Sequence, residues 1–422
     1  MSQQISQMIT RGYWLALAAT LATMALIDAD VAAAGELSAD DFRFDGPLGS
    51  QGARIDEVGE NHFKIRLGHA PEQPTWCNML YFQIVRDAEG NKLRLDVEFQ
   101  GGDAYRFNHN SATWSYDAEN WRAIRWCDPD QPTERGDSLL FPEFSEDVIF
   151  FGAQVPLSFE RIEALIGRWA RHPHVAVHVI GKSLGGRKLY RLEITDPESP
   201  HRKTSRWVHW FGNQHPGEHN AQWRIVGMID WLLSDDGDDF RRRSVCHFVP
   251  MTSPDGPSSG WYRVNAQGVD MNRSYFSSGA DEEDQAHEVY VVQRDLERLM
   301  ASDSPVTSLW SMHTWSGPVE PILVPGPEVG STIGPWEEFR EVLLKNDPRR
   351  LVEPLKTRDK PKGAKTTWNE GPHVQFGISN VLCEGSGGWT SKEDCLEAGA
   401  VLMRSISEYY AGTKPSPNEH SQ

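Results

Sequence analysis

Short runs of alternating apolar and polar residues fill the chain from residue 40 to residue 154. The runs FKIRL, LYFQIV, LRLDVEF and VIFFGA are separated by Gly, Asn, Asp and Pro, without a helical period. Such alternation, bounded by turn-forming residues, is typical of half-buried strands. We therefore expect an antiparallel β-sandwich domain over residues 40–154. The segment AEGN at 88–91, between two of these runs, predicts a hairpin turn.

The pattern changes at Leu157, after which apolar residues recur at helical spacing. In FERIEALIGRWARH, Ile162, Leu165 and Ile166 fall on one helix face. NAQWRIVGMIDWLL and SKEDCLEAGAVLMRSISEYY predict further helices, the second opening with a capping box. Strands are predicted between them at 175–180, 188–195, 206–211, 245–250, 307–312 and 378–383. This alternation predicts a three-layer α/β domain with a mostly parallel sheet, whose chemistry lies beyond the carboxyl ends of the strands.

The amino terminus carries a signal of its own. Tyr13–Ile27 is an apolar run of about 15 residues, shorter than the roughly 20 that a bilayer span needs. Arg11 flanks it on one side and Ala32–Ala34 supplies a small-residue cleavage site on the other. This pattern predicts a signal peptide over 1–34 and an exported protein, periplasmic or secreted, with no stable membrane span after cleavage. A cytoplasmic protein with an amphipathic leader is the alternative.

Composition narrows the function classes. The 422 residues include 60 acidic and 42 basic side chains, giving a net charge of −18, which repels nucleic acid phosphates. We expect no nucleic acid partner. The five cysteines show no C-x-x-C spacing, so a bound metal must be held by histidine and carboxylate. Residues 413–422 (TKPSPNEHSQ) are predicted to be a disordered tail.

His215 and Glu218 lie in NQHPGEHNAQW, between a predicted strand and the helix that follows it. A spacing of three places both side chains on one face of a first helical turn, where they can converge on a cation. An ordinary pair of capping residues is the alternative interpretation. The strand-turn-helix context, with Pro216 at the helix start, favours a ligand site.

Two further residues end predicted core strands. Catalytic zinc usually has three protein ligands and an open position for water, and His313 in SMHTWSG is the best candidate for the third. Taken alone, His313 is better explained as an ordinary strand-end histidine. Glu384 in VLCEGSGG follows a buried apolar strand, and such an environment raises the pKa of a carboxyl group. A general base that works near pH 7 requires that shift.

A loop region rich in Gly, Asn and Ser, SPDGPSSGWYRVNAQGVDMNRSY, contributes Arg263, Asn272 and Arg273. Guanidinium groups bind carboxylates bidentately and stabilise developing oxyanions. We therefore expect an anion site here, although arginines on loops are often merely solvated.

Together, H-P-G-E, S-P-D-G, Y-R, G-V-D-M-N-R, a strand-end His and L-C-E-G resemble the motifs of the zinc metallocarboxypeptidases of the carboxypeptidase A clan. The resemblance is to the cytosolic carboxypeptidase-like branch, which has a β-sandwich before its catalytic domain, and it covers about residues 40–412. It implies a three-layer α/β/α zinc carboxypeptidase domain with a mixed sheet over 155–412. ARIDEV and GKSLGGRKLYRLEIT also resemble stretches of that branch.

The resemblance assigns a role to each candidate residue. His215, Glu218 and His313 would bind one zinc ion, and Glu384 would activate the metal-bound water. Arg263 would stabilise the tetrahedral oxyanion, and Asn272 with Arg273 would hold the terminal carboxylate of a substrate.

Two positions depart from the family pattern. The family commonly has a mobile Tyr about twenty residues before the catalytic Glu, whereas GAKTTWNEGPHVQFG has none and offers only Trp368 and Phe376 as large rings. This leaves the role of capping the substrate unassigned. Many members also have N-P-D-G where this chain has S-P-D-G, a difference that we expect to be structural.

The leading hypothesis is a zinc carboxypeptidase acting on a peptide or peptide-like substrate with a free carboxylate. A cell-wall peptide amidase or an N-acyl amino-acid deacylase with the same zinc chemistry is the alternative. A non-catalytic peptide- or glycan-binding protein is the alternative of another class. The sequence leaves oligomeric state and side-chain specificity open.

Overall fold

The computed structural model describes residues 35–99, 112–276, 285–315, 321–323, 336–354, 366–386 and 390–411. The predicted signal peptide (1–34) and the predicted tail (413–422) lie outside the described residues. Among the described residues, no helix combines the length and the apolar character that a membrane span requires.

Two five-stranded sheets form the amino-terminal region. Their strands follow the orders β1-β6-β12-β8-β9 and β10-β11-β7-β3-β2, and β4 pairs with β5 in a separate ribbon. The strands are β1 Phe42–Arg43, β2 Arg54–Gly59, β3 His62–Arg66, β4 His69–Ala70, β5 Gln73–Cys77, β6 Tyr81–Ile84, β7 Arg94–Glu98, β8 Ala112–Ser115, β9 Arg122–Ile124, β10 Trp126–Cys127, β11 Ser138–Leu140 and β12 Ile149–Ala153. We call residues 35–153 the two-sheet region.

Alternation along the strands builds the core of this region. In β3, Phe63 and Ile65 are buried while their neighbours are half-buried. Buried side chains from both sheets join one cluster, in which the rings of Phe82 and Phe151 stack at 4.9 Å. Most strand pairs are antiparallel, as the sequence predicts, but β3 and β7 pair in parallel.

The hairpin predicted at 88–91 is wrong. The turn itself forms, with the Asn91 N–H donating to the Ala88 carbonyl at 3.1 Å. However, β6 pairs with β1 and β12, whereas β7 pairs with β3 and β11. Residues 85–93 therefore carry the chain from one sheet to the other, because turn chemistry fixes a local reversal but not the partner of the strand that follows.

An eight-stranded mixed sheet forms the second region, in the order β13-β14-β16-β15-β17-β20-β18-β19. The strands β16, β15, β17 and β20 run parallel to one another at its centre. The strands are β13 Val175–Lys182, β14 Lys188–Ile194, β15 Trp207–Asn213, β16 Ser244–Val249, β17 Ser308–Trp315, β18 Pro321–Leu323, β19 Glu353–Pro354 and β20 Ser379–Ser386. All six strands predicted here from the sequence are confirmed.

Helices cover both faces of this sheet. They are α1 Phe159–Trp169, α2 His219–Leu233, α3 Asp238–Arg243, α4 His287–Met300, α5 Trp336–Asn346, α6 Gly371–Phe376 and α7 Lys392–Ala411. Side chains of α1, α2, α3, α5 and α7 pack in one cluster, and those of α4 pack in another on the opposite face. The three-layer α/β/α arrangement is thereby confirmed.

The helices α2 and α7 approach each other closely. A Cβ atom on Gly227 would lie 2.0 Å from the Leu396 carbonyl oxygen, and one on Gly399 would lie 2.0 Å from the Arg224 carbonyl oxygen. Only glycine allows this close backbone contact, which packs α2 directly against α7.

Candidate metal centre

Three neighbouring parallel strands end at the same edge of the sheet. The register of β15 and β17 places Asn213 beside Met312, and that of β17 and β20 places His313 beside Glu384. Asn213 also donates from Nδ2 to the Met312 carbonyl at 2.9 Å, which ties two of the strand ends together. His215 lies two residues after the end of β15, and Glu218 is the N-cap residue of α2.

The structure brings His215, Glu218 and His313 together. Nδ1 of His215 lies 2.7 Å from Oε1 of Glu218, and Nδ1 of His313 lies 2.9 Å from Oε2 of the same carboxylate. The two Nδ1 atoms are 3.2 Å apart. All three side chains are buried, and across the described ranges this is the one group of three ligand-type residues whose ligand atoms lie within 4.8 Å of one another.

The outer nitrogens of both histidines are held by other side chains. His215 donates from Nε2 to Oδ1 of Asp270 at 3.2 Å. Ser311 donates its hydroxyl to Oε1 of Gln214, so its oxygen accepts from Nε2 of His313 at 2.9 Å. Bonds of this kind fix the tautomer and orient the other nitrogen toward a metal. Two Nδ1 atoms and one carboxylate fit the ligand set of a catalytic zinc ion.

The charges of the cluster also suit a cation. Burial alone raises the pKa of Glu218, but the nearby imidazoles His215 and His313 outweigh it and hold that pKa well below its ordinary value. Burial lowers the pKa of His215, yet the Glu218 carboxylate brings the net shift above the usual value. An ionised carboxylate thus lies between two imidazoles in a buried site.

Glu384 stands beside this cluster on β20 and is half-buried. Burial raises the pKa of Glu384, and the charge of His313 partly offsets that rise. The shift has the direction that a general base requires. It arises because β20 carries the carboxylate out of an apolar strand, as its sequence position predicts.

Asp270 links the metal side of the site to Arg263, and the sequence analysis did not single it out. Its Oδ2 accepts from Nε of Arg263 at 2.5 Å, while its Oδ1 faces His215. Burial raises the pKa of Asp270, but His215 and Arg263 hold it well below the ordinary value. The available signal was a carboxylate two positions before Asn272, in the same loop.

Asn272 and Arg273 have different surroundings. The amide of Asn272 is buried, with Nδ2 3.3 Å from Nε2 of His313 and Oδ1 accepting the Trp368 N–H at 2.8 Å. Arg273 is exposed and donates from a guanidinium nitrogen to the Asn272 carbonyl at 2.7 Å. Arg273 is thus the accessible charge of the pair, and the binding of a substrate carboxylate by Asn272 and Arg273 stays a prediction.

The two departures from the family pattern have structural counterparts. Trp368 is fully buried and stacks on Trp210 at 5.2 Å, so it is not placed to cap a substrate. Asp255 of S-P-D-G accepts from the Ser183 hydroxyl at 2.9 Å and from the Gly185 N–H at 2.8 Å, which fastens this loop to the β13–β14 turn. Ser253, the position that differs from the family pattern, is buried, and its carbonyl accepts the Gly256 N–H at 3.3 Å.

The fold and site place this chain in the class of three-layer α/β proteins with a candidate metal centre at the ends of parallel strands. Residues 162–298 match the family model described as zinc carboxypeptidase. This part of the chain is therefore similar to the zinc carboxypeptidases. The matched range includes His215, Glu218 and the loop with Arg263, whereas His313 and Glu384 lie beyond it.

Two curated proteins show the extent of the similarity. The chain is 32% identical to cytosolic carboxypeptidase 2 of Danio rerio over 148 residues, covering 33% of this chain and 20% of that protein. It is 27% identical to an uncharacterized protein of Zymomonas mobilis over 217 residues, covering 50% of this chain and 53% of that one. The chain thus spans a fifth to about half of these relatives.

A solved structure matches the fold more completely. The metallo-carboxypeptidase from Burkholderia cenocepacia superposes with a TM-score of 0.72 and 18% identity, covering 88% of this chain and 100% of that one. At this identity the likeness concerns the fold.

Proposed function

We propose that this protein is a zinc-dependent metallocarboxypeptidase that hydrolyses the amide bond next to the free C-terminal carboxylate of a peptide. The observation that carries the proposal is the register of β17 and β20. It sets Glu384 beside His313, and His313 in turn contacts Glu218 and His215. A candidate base thus adjoins a three-ligand metal site.

His215, Glu218 and His313 would hold one zinc ion, whose Lewis acidity polarises a carbonyl group and lowers the pKa of water. Glu384 then accepts a proton from the attacking water and passes it to the leaving amine. Arg263 would stabilise the oxyanion that develops on the scissile carbonyl. The bond from Arg263 to Asp270 holds the guanidinium near the metal ligands.

The loop that carries Arg273 would bind the free C-terminal carboxylate of the substrate. An exposed guanidinium forms charge-assisted, bidentate hydrogen bonds with a carboxylate, which gives both binding energy and register. Such a contact would determine that cleavage occurs one residue from the chain end.

A substrate comparison tests this proposal. The purified protein with zinc is incubated with peptides that end in a free acid or in an amide, with murein peptides, and with N-acyl amino acids, and the products are identified by mass. Release of single residues from the free acids alone supports a carboxypeptidase. Cleavage confined to murein peptides or acyl amino acids would favour an amidase or a deacylase, and no turnover of any substrate would favour a binding protein.

We further propose that the protein is exported, on the basis of Arg11, the apolar run and Ala32–Ala34. Intact-mass measurement of protein from its native host should give an amino terminus near Gly35. A full-length cytoplasmic product would contradict export.

A further inference from the structure

A hydrogen-bond chain runs from the two-sheet region to the metal site. The Tyr81 hydroxyl on β6 lies 2.7 Å from Nε2 of His219, and Nδ1 of His219 lies 3.0 Å from Oε1 of Gln222. Gln222 donates from Nε2 to Oδ1 of Asn213 at 3.1 Å. Asn213 in turn donates from Nδ2 to Oε2 of Glu218 at 3.4 Å. The chain thus begins in one region and ends on a metal-ligand carboxylate in the other.

Every member of this chain is buried, with exposed fractions of 0 to 2%. Polar groups without access to water depend on one another for hydrogen bonds, so the position of each restricts the next. Tyr81 closes the outer end, because its hydroxyl also lies 3.2 Å from the Met79 sulfur.

Other contacts hold the same segment from the same side. A Cβ atom on Gly217 would lie 2.4 Å from the Met79 sulfur, so the turn before Glu218 lies directly against the two-sheet region. The Met79 N–H donates to the Gly260 carbonyl at 2.7 Å. Just after β12, Oε1 of Gln154 accepts from the N–H of Asn220, in the first turn of α2. The backbone on both sides of Glu218 is therefore fixed from outside the catalytic domain.

We propose that the two-sheet region positions the zinc ligand Glu218 through this chain, with Tyr81 as a positioning residue for the metal. The inference rests on the zinc site of the proposed function. It gives the two-sheet region a part in the metal centre, in addition to any binding of its own. Tyr81 touches neither metal nor substrate, so its effect must appear first in zinc affinity.

The change Tyr81→Phe removes one hydroxyl group and keeps the ring. Zinc affinity is measured by competition with a chelator at a temperature where each variant is folded, as monitored by circular dichroism. We expect a loss of affinity of more than twofold but less than the roughly 10-fold that marks the low end for direct partners of metal ligands, because three side chains separate Tyr81 from Glu218. Tyr116→Phe is the matched control, since its hydroxyl accepts the Ser145 N–H in the same region, away from the site. It should leave zinc affinity unchanged.

Gln222→Met interrupts the same chain from within the catalytic domain. It should lower zinc affinity to a similar degree. The zinc affinity of the double variant should equal that of the more affected single variant, because the second substitution breaks a chain that is already interrupted. A purely structural role would lower the unfolding temperature without changing zinc affinity. Affinity within twofold of wild type in either folded single variant would overturn the inference. If wild-type protein binds no zinc at all, the proposed function fails instead.

Discussion

The candidate site has two sides, a metal side and a substrate side, whose side chains are held in place to different degrees. On the metal side, His215, Glu218 and His313 are buried and bonded to one another and to further buried groups. On the substrate side, Arg263 is only partly buried and Arg273 is exposed, both on one long loop. The candidate metal ligands are thus held by hydrogen bonds in a buried site, whereas the two arginines of the substrate side are more exposed.

Secondary structure explains this difference. Strand ends inherit their positions from the hydrogen-bond ladders of the sheet, which fix His313 against Glu384 through several paired residues. Loop residues have no such ladder and depend on side-chain contacts such as that between Arg263 and Asp270. Metal binding gains from ligands that need no rearrangement, whereas recognition of varied substrates gains from a side chain that can adjust.

The largest expected effect comes from the metal side. In His313→Ala the three-ligand set loses a member, so we expect the purified protein to lose stoichiometric zinc. Because the metal supplies both carbonyl polarisation and water activation, kcat/KM should fall by more than about 10⁴-fold. Metal analysis and peptide hydrolysis measure the two effects. The exposed His201 is a matched control, and full zinc content in His313→Ala would disprove the ligand assignment.

The substitution Glu384→Gln tests the role of Glu384 as a base separately from metal binding, although both involve the same edge of the sheet. The amide has nearly the shape of the carboxylate but cannot accept the proton of the water. A positioned general base contributes roughly 10²- to 10⁴-fold, so kcat should fall by that factor while zinc content stays at the wild-type level. Activity within a few-fold of wild type would remove Glu384 from the mechanism.

The substitution Arg273→Ala tests whether the substrate side binds the terminal carboxylate of a peptide. A hydrogen bond to a charged group contributes about 1.5 to 3 kcal/mol, which corresponds to a loss of roughly 10- to 200-fold in kcat/KM for free-acid peptides. Zinc content should not change, because Arg273 contacts no metal ligand through its side chain in this structure. Arg298→Ala, an exposed arginine of α4, is the control. Equal cleavage of free acid and amide by the wild type would contradict carboxylate recognition.

The candidate metal ligands can be predicted from the sequence, but the long-range contacts that hold them in place cannot. His215 and Glu218 are recognisable from their spacing, and His313 and Glu384 from their places at the ends of apolar strands. Each of these signals is local, so it survives without knowledge of the sheet order. The pairing of β17 with β20, which brings His313 to Glu384, is not local and emerges only in the fold.

The errors have the same origin. The turn at 88–91 is correct as local chemistry, but strand partners depend on contacts across the whole two-sheet region. Likewise, nothing in the sequence around Tyr81 points to His219, which is 138 positions away. Such long-range contacts leave no periodic pattern or fixed spacing for a single sequence to display.

Asp270 joins the two sides, and its substitution gives the smallest effect that we predict. In Asp270→Asn the side chain keeps its shape and one acceptor for His215, but the charge that orients both His215 and Arg263 disappears. Loss of such an outer partner commonly costs about 10- to 100-fold in metal affinity or activity. We expect zinc affinity to fall by about 10-fold, and kcat/KM at saturating zinc to fall by a similar factor because Arg263 is less well held.

Asp255→Asn is the matched control for this change. Asp255 also pairs with an arginine, Arg187, at 2.9 Å, but the contacts of its side chain fasten the S-P-D-G loop to the β13–β14 turn. Its substitution should lower the temperature of unfolding and leave zinc affinity as in the wild type. If Asp270→Asn changes only kcat/KM, the carboxylate serves Arg263 alone. If it changes only zinc affinity, Asp270 supports His215 but does not help to position Arg263. The metal side and the substrate side are then independent, although both contact the same carboxylate.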